Sequence, residues 1–207
     1  MVKKMVIASN NQGKVDELKE ILESQSLKDV ELLSLKDFDD IGDIKEYGKT
    51  FEENARIKAE TVSNKTGLLA LADDSGLEVD FLGGSPGVYS ARYAGDNSND
   101  EENIAKLLKE LKDVPWKDRK ARFKCVIALS HPEIETRFVE GECEGFISKQ
   151  REGEQGFGYD PVFYYPEKEK SFAMLASEEK AAVSHRGEAL KRLAPVLKET
   201  IELIERS

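Results

Sequence analysis

The segment LLALADDSG, residues 68–76, carries the clearest signal of the fold class. Its first five residues, Leu68 to Ala72, are apolar without interruption over the length of one strand, which is typical of a strand covered on both faces of its sheet. Such strands occur in α/β proteins, whose helices pack on both sides of the sheet. The run ends abruptly, so we expect Asp73, Asp74 and Ser75 at the carboxyl end of this strand, where α/β sheets bind their ligands.

The flanking sequence extends this pattern in both directions. Upstream it predicts a strand over Lys4 to Ala8, a helix with apolar residues at positions 15, 18, 21 and 22, a strand over Val30 to Leu33, and a helix from the capping box Thr50-Phe-Glu-Glu53 to about Ser63. Downstream it predicts a strand over Leu77 to Leu82, a helix carrying Ile104 to Leu111, an antiparallel hairpin of Arg122 to Leu129 and Thr136 to Gly145, an aromatic strand over Val162 to Tyr165, and helices over Ser177 to Val183 and Gly187 to Arg206. We therefore expect an α/β fold around one mixed sheet, in a single domain of residues 1–207 without a linker.

Composition restricts the function. The chain has 31 Lys and Arg residues against 41 Asp and Glu residues, and its formal net charge of −10 argues against non-specific nucleic-acid binding, which needs a basic face. No stretch approaches the ~20 apolar residues of a membrane span, and the first apolar run is too short for a signal peptide, so we expect a cytoplasmic protein. Two cysteines are too few for a cysteine-based zinc site and two histidines are too few for a histidine-rich metal site, so we expect any metal to be held by carboxylates, which indicates Mg²⁺ or Mn²⁺.

The loop SNNQGK between the first strand and helix is one candidate site; it consists of Ser9, Asn10, Asn11, Gln12, Gly13 and Lys14. Two of the four fixed positions of a nucleotide-binding P-loop are missing from it. Hydroxyl, amide and lysine groups at a helix N-terminus nevertheless suit a phosphate. The alternative is an ordinary loop in which Ser9 or Asn10 makes turn hydrogen bonds.

Asp73 and Asp74 are a second candidate. Side chains alternate along a strand, so one carboxylate can be fixed by the structure while the other faces a ligand. A carboxylate there can bind Mg²⁺ or accept a proton from an attacking water. A nearby cation is expected because two adjacent carboxylates repel. The alternative is an Asx turn that closes the strand at Gly76.

Two later segments have the groups needed to recognise a flat ring. Residues 156–161, GFGYDP, combine a flexible turn with two aromatic rings and a carboxylate, which suits stacking on a ring and hydrogen bonding to its edge; the alternative is a buried aromatic turn. Ser184-His-Arg-Gly187 interrupts the C-terminal helical region with hydrogen-bonding side chains, and Lys180 and Arg186 add local positive charge. Taken alone, Glu46 belongs to a solvated acidic loop and Lys58 is a surface lysine.

Six motifs follow one another along the chain. They are Ser9-x-Asn11-x-x-Lys14, Thr50-Phe-Glu-Glu-Asn-Ala-x-x-Lys58-Ala, Ala72-Asp-Asp-Ser-Gly76, Pro86-Gly-Val-Tyr-Ser-Ala-Arg92-Tyr, Gly156-Phe-Gly-Tyr-Asp-Pro161 and Glu179-Lys-x-x-x-Ser-His-Arg-Gly187. In combination they resemble the Ham1-like inosine triphosphate pyrophosphatase family, from Ser9 to about Leu193. The resemblance implies a homodimer with a long mixed central sheet flanked by helices, and two lobes with the active-site cleft between them.

The resemblance also implies an activity and roles for single residues. The reaction would be cleavage of ITP, dITP and XTP between the α and β phosphates, which cleanses the nucleotide pool. Asp74 would be the proton acceptor, and Glu46 and Asp74 would bind Mg²⁺ or Mn²⁺. The residues implied in substrate binding are Ser9 to Lys14, Lys58 and Ser75, together with Phe157, Gly158, Tyr159, Asp160, Lys180, His185 and Arg186 for the base.

Two other functions remain as alternatives. One is a Maf-like pyrophosphatase acting on pyrimidine or modified nucleotides, which has a related architecture but different motifs. The other is a nucleotide-binding module without catalysis. Asp73, Asp74 and Glu46 argue against the second alternative, because a protein that only binds nucleotide has no need of a metal-binding and proton-accepting set.

Overall fold

The computed structural model describes residues 4–24 and 30–206. The helices are α1 (Gln12–Ser24), α2 (Phe51–Thr66), α3 (Asp100–Glu110), α4 (Ser177–Val183) and α5 (His185–Ile204). The strands are β1 (Lys4–Ile7), β2 (Glu31–Ser34), β3 (Leu69–Val79), β4 (Lys120–His131), β5 (Ile134–Ile147), β6 (Phe163–Tyr165) and β7 (Lys170–Ser171). Among the helices in these ranges, none is long and apolar enough to cross a membrane.

The strands form one sheet in the order β2-β1-β3-β4-β5-β6-β7. β1 pairs in parallel with β2 and β3, whereas β6 pairs antiparallel with β5 and β7. β4 and β5 are neighbours joined by a two-residue turn, as the predicted hairpin requires. The expected α/β fold around one mixed sheet is therefore confirmed.

The chain divides into two compact units. The first comprises Met1–Asp74, Cys125–Gly141 and Glu188–Ser207, and its core contains Ile7, Leu71, Ile127, Leu190 and Leu193. The second comprises Ser75–Lys124 and Glu142–Gly187, and its core contains Leu77, Leu107, Phe123, Phe163 and Phe172. Each unit thus has its own buried apolar cluster.

β3 is longer than the sequence predicts. The strand does not end at Asp73, and Leu77 to Leu82 is not a separate strand, because one strand runs through both segments to Val79. Leu77 and Val79 are fully buried, so apolar burial continues past the polar residues. Gly76 lies inside the strand, which makes the alternative of an Asx turn wrong as well.

α2 begins where the capping motif predicts. Thr50 Oγ1 accepts a hydrogen bond from the Glu53 N–H at 3.1 Å, and Gly67, at a left-handed φ of 67°, ends the helix. The second half of the capping box differs from the prediction. Glu53 Oε2 accepts from the Lys49 N–H at 2.6 Å instead of from the Thr50 N–H, because the chain before Thr50 approaches the helix closely.

The break between α4 and α5 lies at Ser184 and not at Gly187. Ser184 is extended, with φ −74° and ψ 157°, and its Oγ accepts a hydrogen bond from the Gly187 N–H at 3.1 Å, as a helix N-cap does. Gly187 is inside α5, where an added Cβ would lie 1.8 Å from the Ala181 carbonyl oxygen. The glycine is needed there for close packing between backbone segments.

Candidate active site

Asp73 and Asp74 contact different lysines. Their positions on β3 send the two side chains to opposite faces of the strand. Asp73 Oδ2 lies 3.0 Å from Lys14 Nζ, and Asp74 Oδ1 lies 3.1 Å from Lys58 Nζ. Both aspartates are buried, so each carboxylate has the nearby cation that the sequence argument requires.

Lys58 also contacts Glu46, a residue of the loop between β2 and α2. Lys58 Nζ lies 3.2 Å from Glu46 Oε1, and the same nitrogen donates a hydrogen bond to Asp74. The side chains of Lys58 and Asp74 are each 9% exposed and that of Glu46 is 31% exposed, so the group is shielded on most sides. We call Lys14, Glu46, Lys58, Asp73 and Asp74 the carboxylate–lysine cluster.

The cluster changes the proton affinity of two of its members. Burial raises the pKa of Asp74, and this effect outweighs the attraction of Lys58 and Lys14, while Glu46 adds to the increase. Burial by itself would lower the pKa of Lys58, but the charges of Asp74, Asp73 and Glu46 overcome it and raise that pKa. Asp74 therefore takes up a proton more readily than an exposed aspartate, and Lys58 remains charged.

Glu46 and Asp74 fit a magnesium ion in their chemistry. Their carboxylate oxygens converge on one Lys58 nitrogen, within 3.2 Å and 3.1 Å, and carboxylate oxygens are the protein ligands that Mg²⁺ and Mn²⁺ prefer. Residues 4–24 and 30–206 contain no group of three or more His, Cys, Asp or Glu side chains arranged to hold a metal. Two carboxylates are sufficient when substrate phosphates and water complete the coordination of Mg²⁺.

The loop Ser9 to Lys14 uses two of its side chains for local hydrogen bonds. Ser9 Oγ accepts from the Asn11 N–H at 3.3 Å, and Asn11 Oδ1 accepts from the Lys14 N–H at 3.1 Å, as an N-cap of α1 does. Gln12 is hydrogen-bonded by its side chain to Asp16 and Lys36. Asn10 and Gly13 are exposed. These bonds match the alternative of an ordinary loop, while the first backbone N–H groups of α1 still suit an anion.

A second cluster, in the second compact unit, surrounds Asp160. Asp160 Oδ2 accepts hydrogen bonds from Lys180 Nζ at 2.7 Å and from the Phe157 N–H at 3.0 Å. The Phe157 ring lies 4.6 Å from Lys180 Nζ and 5.7 Å from Arg186 Cζ. Arg186 in turn donates to Ser75 Oγ at 3.2 Å. We call Ser75, Phe157, Asp160, Lys180 and Arg186 the aromatic–cation cluster.

Two expected base-binding residues have other contacts in the structure. The ring of Tyr159 belongs to the core of the second unit, and its hydroxyl donates to the Ser90 carbonyl at 2.8 Å. The ring of His185 stacks on Phe123, with centroids 4.8 Å apart and planes at 14°. Both residues are 5% exposed.

The sequence motifs predict no role for Asn54 and Asp100, yet Asn54 contacts the carboxylate–lysine cluster and Asp100 contacts Gly158, the residue after Phe157. Asn54 Nδ2 donates to Asp74 Oδ2 at 3.2 Å, and its spacing of four residues from Lys58 on α2 was the available signal. Asp100 Oδ2 accepts from the Gly158 N–H at 2.7 Å, across 58 residues of sequence. No local sequence pattern predicts the contact between Asp100 and Gly158.

Comparison with known proteins identifies similar chains over nearly the whole length. The model of the Ham1 family matches residues 5–196. Proteins named dITP/XTP pyrophosphatase from Bacillus licheniformis and Bacillus subtilis are 53% and 50% identical to this chain, and each alignment covers 95% of this chain and 98% of the relative.

Solved structures agree with the sequence matches. The Staphylococcus aureus Ham1 protein is 44% identical with a TM-score of 0.86, over 96% of this chain and 100% of that one. A nucleoside-triphosphatase, also named dITP/XTP pyrophosphatase, from Mycobacterium abscessus is 46% identical with a TM-score of 0.76, over 94% and 99%.

Proposed function

As the chain belongs to the Ham1 family, we propose that it hydrolyses the non-canonical purine nucleoside triphosphates dITP, XTP and ITP to the monophosphate and pyrophosphate, and so removes them from the nucleotide pool. The observation that carries the proposal is the convergence of Glu46, Lys58 and Asp74 at 3.1–3.2 Å, in a chain about half identical to proteins named dITP/XTP pyrophosphatase.

Asp74 is the proton acceptor in this proposal. Cleavage requires a water molecule to attack a phosphorus atom in line and to lose a proton as it does so. The raised pKa of Asp74 makes its carboxylate a better base than an exposed aspartate. Lys58 stays protonated because of the surrounding carboxylates, and it supplies a fixed positive charge that favours a polyanionic substrate.

Glu46 and Asp74 are the residues that we propose to hold Mg²⁺ or Mn²⁺. When bound, the metal neutralises negative charge on the phosphate oxygens. We assign Lys14 and the first backbone N–H groups of α1 to the triphosphate, because a helix N-terminus and a lysine both attract phosphate. With a net charge of −10 on the whole chain, such local positive charge is needed for a free triphosphate to bind.

Lys180 and Arg186 are assigned to the base. Their N–H groups suit the 6-oxo group of hypoxanthine and xanthine, and they would leave the amino group of adenine badly paired. Phe157 offers a ring face for stacking, and its N–H is fixed by Asp160. The resemblance assigns His185 to the same pocket. We further propose a homodimer, as the resemblance implies, and a location in the cytoplasm, as expected from the sequence.

A panel of ITP, XTP, dTTP, UTP and ATP, each incubated with the protein and Mg²⁺, tests the proposal. We expect ITP and XTP to give monophosphate and pyrophosphate in equal amounts, and dTTP, UTP and ATP to react far more slowly. Preference for dTTP or UTP would favour the Maf-like alternative. Tight binding of ITP without product after long incubation would favour a non-catalytic module.

Replacing Asp74 tests its role directly. Asp74→Asn keeps the size of the side chain but cannot accept the proton, so we expect turnover to fall by roughly 10²–10⁴-fold. Circular dichroism of the variant should match the wild type. Turnover near the wild-type value would remove Asp74 as the base.

A further inference from the structure

Asn54 is fully buried and joins two segments that are distant from each other in sequence. Its Oδ1 accepts a hydrogen bond from the Gly48 N–H at 2.8 Å, and its Nδ2 donates to Asp74 Oδ2 at 3.2 Å. Gly48 stands two residues after Glu46. One side chain of α2 therefore connects the loop that carries Glu46 to the carboxylate assigned as the base.

Lys58 makes the corresponding pair of contacts one helical turn further along α2. Its ammonium group contacts both Glu46 and Asp74. Residues four apart lie on the same face of a helix, so Asn54 and Lys58 present two adjacent links between the same loop and the same carboxylate. Lys58 occupies Oδ1 of Asp74 and Asn54 occupies Oδ2, and two donors on the two oxygens restrict rotation of the carboxylate plane.

The chemistry of the two partners requires a side chain at position 54 that both accepts and donates a hydrogen bond, and the Asn54 amide does both. The Gly48 N–H can only donate, and the Asp74 carboxylate can only accept, so the connecting side chain needs one acceptor and one donor. Aspartate would supply the acceptor but would place a second carboxylate against Asp74. An apolar residue would leave the part-buried Gly48 N–H and the buried Asp74 carboxylate without this partner, which is costly.

Gly48 shows how close the contact is. A Cβ added there would lie 2.6 Å from Asn54 Oδ1 and 2.9 Å from the Asn54 backbone nitrogen. Only a residue without a side chain lets the loop approach the first turn of α2 at this distance. The loop position is therefore set by Asn54 as well as by the ion pair of Glu46.

We propose that Asn54 is a positioning residue for the hydrolysis reaction: it fixes the orientation of the Asp74 carboxylate and anchors the Glu46 loop beside it. This inference rests on the proposed function. Asn54 acts through Asp74 and Glu46, so its loss should lower kcat and leave KM for the nucleotide nearly unchanged. Misplacement of a reacting group by about 1 Å can cost about 10²-fold in rate.

The decisive variant is Asn54→Asp, which separates the two contacts. It keeps the acceptor for the Gly48 N–H and replaces the donor to Asp74 by a second carboxylate, which repels the first. With ITP and Mg²⁺ we expect kcat to fall about 100-fold and KM to stay within about threefold. Hydrogen exchange at the Gly48 amide, measured by NMR in protein labelled with ¹⁵N-glycine, should remain as slow as in the wild type. Asn54→Ala removes both contacts, so it should lower kcat and also speed exchange at Gly48.

Asn103→Asp is the matched control. Asn103 is also a buried helical asparagine, 2% exposed, whose Oδ1 accepts from the Ala94 N–H and whose Nδ2 donates to the Ala91 carbonyl. Its substitution costs the same kind of donor, far along the sequence from the carboxylate–lysine cluster, and we expect kcat within about threefold of the wild type. Equal losses of kcat in Asn54→Asp and Asn103→Asp, or a wild-type kcat in Asn54→Asp, would overturn the inference.

Two results keep the inference separable from the proposed function. If the wild type does not release pyrophosphate from ITP, the function fails, while exchange at Gly48 in Asn54→Ala still tests the link to the loop. If Asn54→Asp does not fold, Asn54→Ala compared with Asn103→Ala gives the same contrast in kcat. Unchanged exchange at Gly48 in Asn54→Ala would contradict the anchoring of the loop.

Discussion

Helix propensity and packing have opposite effects on the stability of a Gly187→Ala variant. The residue lies inside α5, where alanine is favoured over glycine by about 1 kcal/mol. A Cβ at Gly187 would, however, lie 1.8 Å from the Ala181 carbonyl oxygen, whereas ordinary contact begins at 3.4 Å. The opposing atoms belong to the backbone, so no side-chain rotation relieves a shortfall of about 1.6 Å.

The sizes of the packing cost and the propensity gain decide whether Gly187→Ala stabilises or destabilises the protein. Overpacking costs about 1–3 kcal/mol even where side chains can adjust, and here the backbone of α4 or α5 must move, so the cost lies at the upper end of that range or above it. After subtracting the gain in propensity, we expect Gly187→Ala to destabilise the second unit by about 2 kcal/mol or more. With a urea dependence of about 2 kcal/mol/M, the unfolding midpoint should fall by about 1 M.

Tryptophan fluorescence can measure this effect because Trp116, the single tryptophan of the chain, lies in the same unit as Gly187. Glu188→Ala is the control, since it changes the next residue of α5 and adds no atom near Ala181. The displacement should also move Arg186 away from Ser75, so the preference for ITP over ATP should decrease. A midpoint for Gly187→Ala equal to or above that of the wild type would refute the packing argument.

Three further results are expected. Burial raises the pKa of Asp74, and the charge of Lys58 partly offsets this increase. Lys58→Met should therefore raise the pKa of Asp74 further and move the acidic limb of the kcat/KM profile to higher pH. An acidic limb that stays in place or moves to lower pH would contradict its assignment to Asp74. The raised pKa of Asp74 means that its carboxyl stabilises the folded state below its ordinary pKa, and that this stabilisation is lost as pH rises through the raised value. Asp74→Asn cannot ionise, so at pH 8 it should unfold at a higher urea concentration than the wild type. A lower unfolding midpoint for the variant would contradict the role of burial in raising the pKa. Asp100→Ala removes the acceptor of the Gly158 N–H and should raise KM for ITP about three- to tenfold. Asp100→Asn keeps an acceptor and Glu101→Ala removes a neighbouring charge of α3, so both should leave KM near the wild-type value. Equal effects of Asp100→Ala and Glu101→Ala would indicate a general charge effect.

The sequence predicts the elements of this fold well where the signal is local. The apolar run after Leu68 predicts a buried strand, and Thr50 predicts the start of α2, because burial on both faces and end-capping depend on neighbouring residues. The same local signal fails where partners are remote. Asp73 and Asp74 suggest a strand end, yet β3 continues through them, since Lys14 and Lys58 compensate two carboxylates inside the strand.

In the candidate site, too, local patterns predict some residues, and only remote contacts reveal the others. The motifs contain four of the five residues of the carboxylate–lysine cluster, all except Glu46, but Asn54 and Asp100 gain their significance from contacts made 20 and 58 residues away in the chain. Tyr159 shows the opposite case. It stands within a motif beside Phe157, yet its hydroxyl donates to Ser90 in the core of the second unit, and only the three-dimensional packing reveals this.

Product analysis with ITP is the sharpest test of the proposed reaction and of Asp74 as its base. The wild-type protein is incubated with ITP and Mg²⁺, and IMP, IDP, pyrophosphate and orthophosphate are quantified together, with Asp74→Asn in parallel. We predict IMP and pyrophosphate in a ratio of one to one from the wild type and almost none from the variant. Release of orthophosphate with IDP, or equal product from the two proteins, would contradict the claim that this chain is a pyrophosphohydrolase that uses Asp74 as its base.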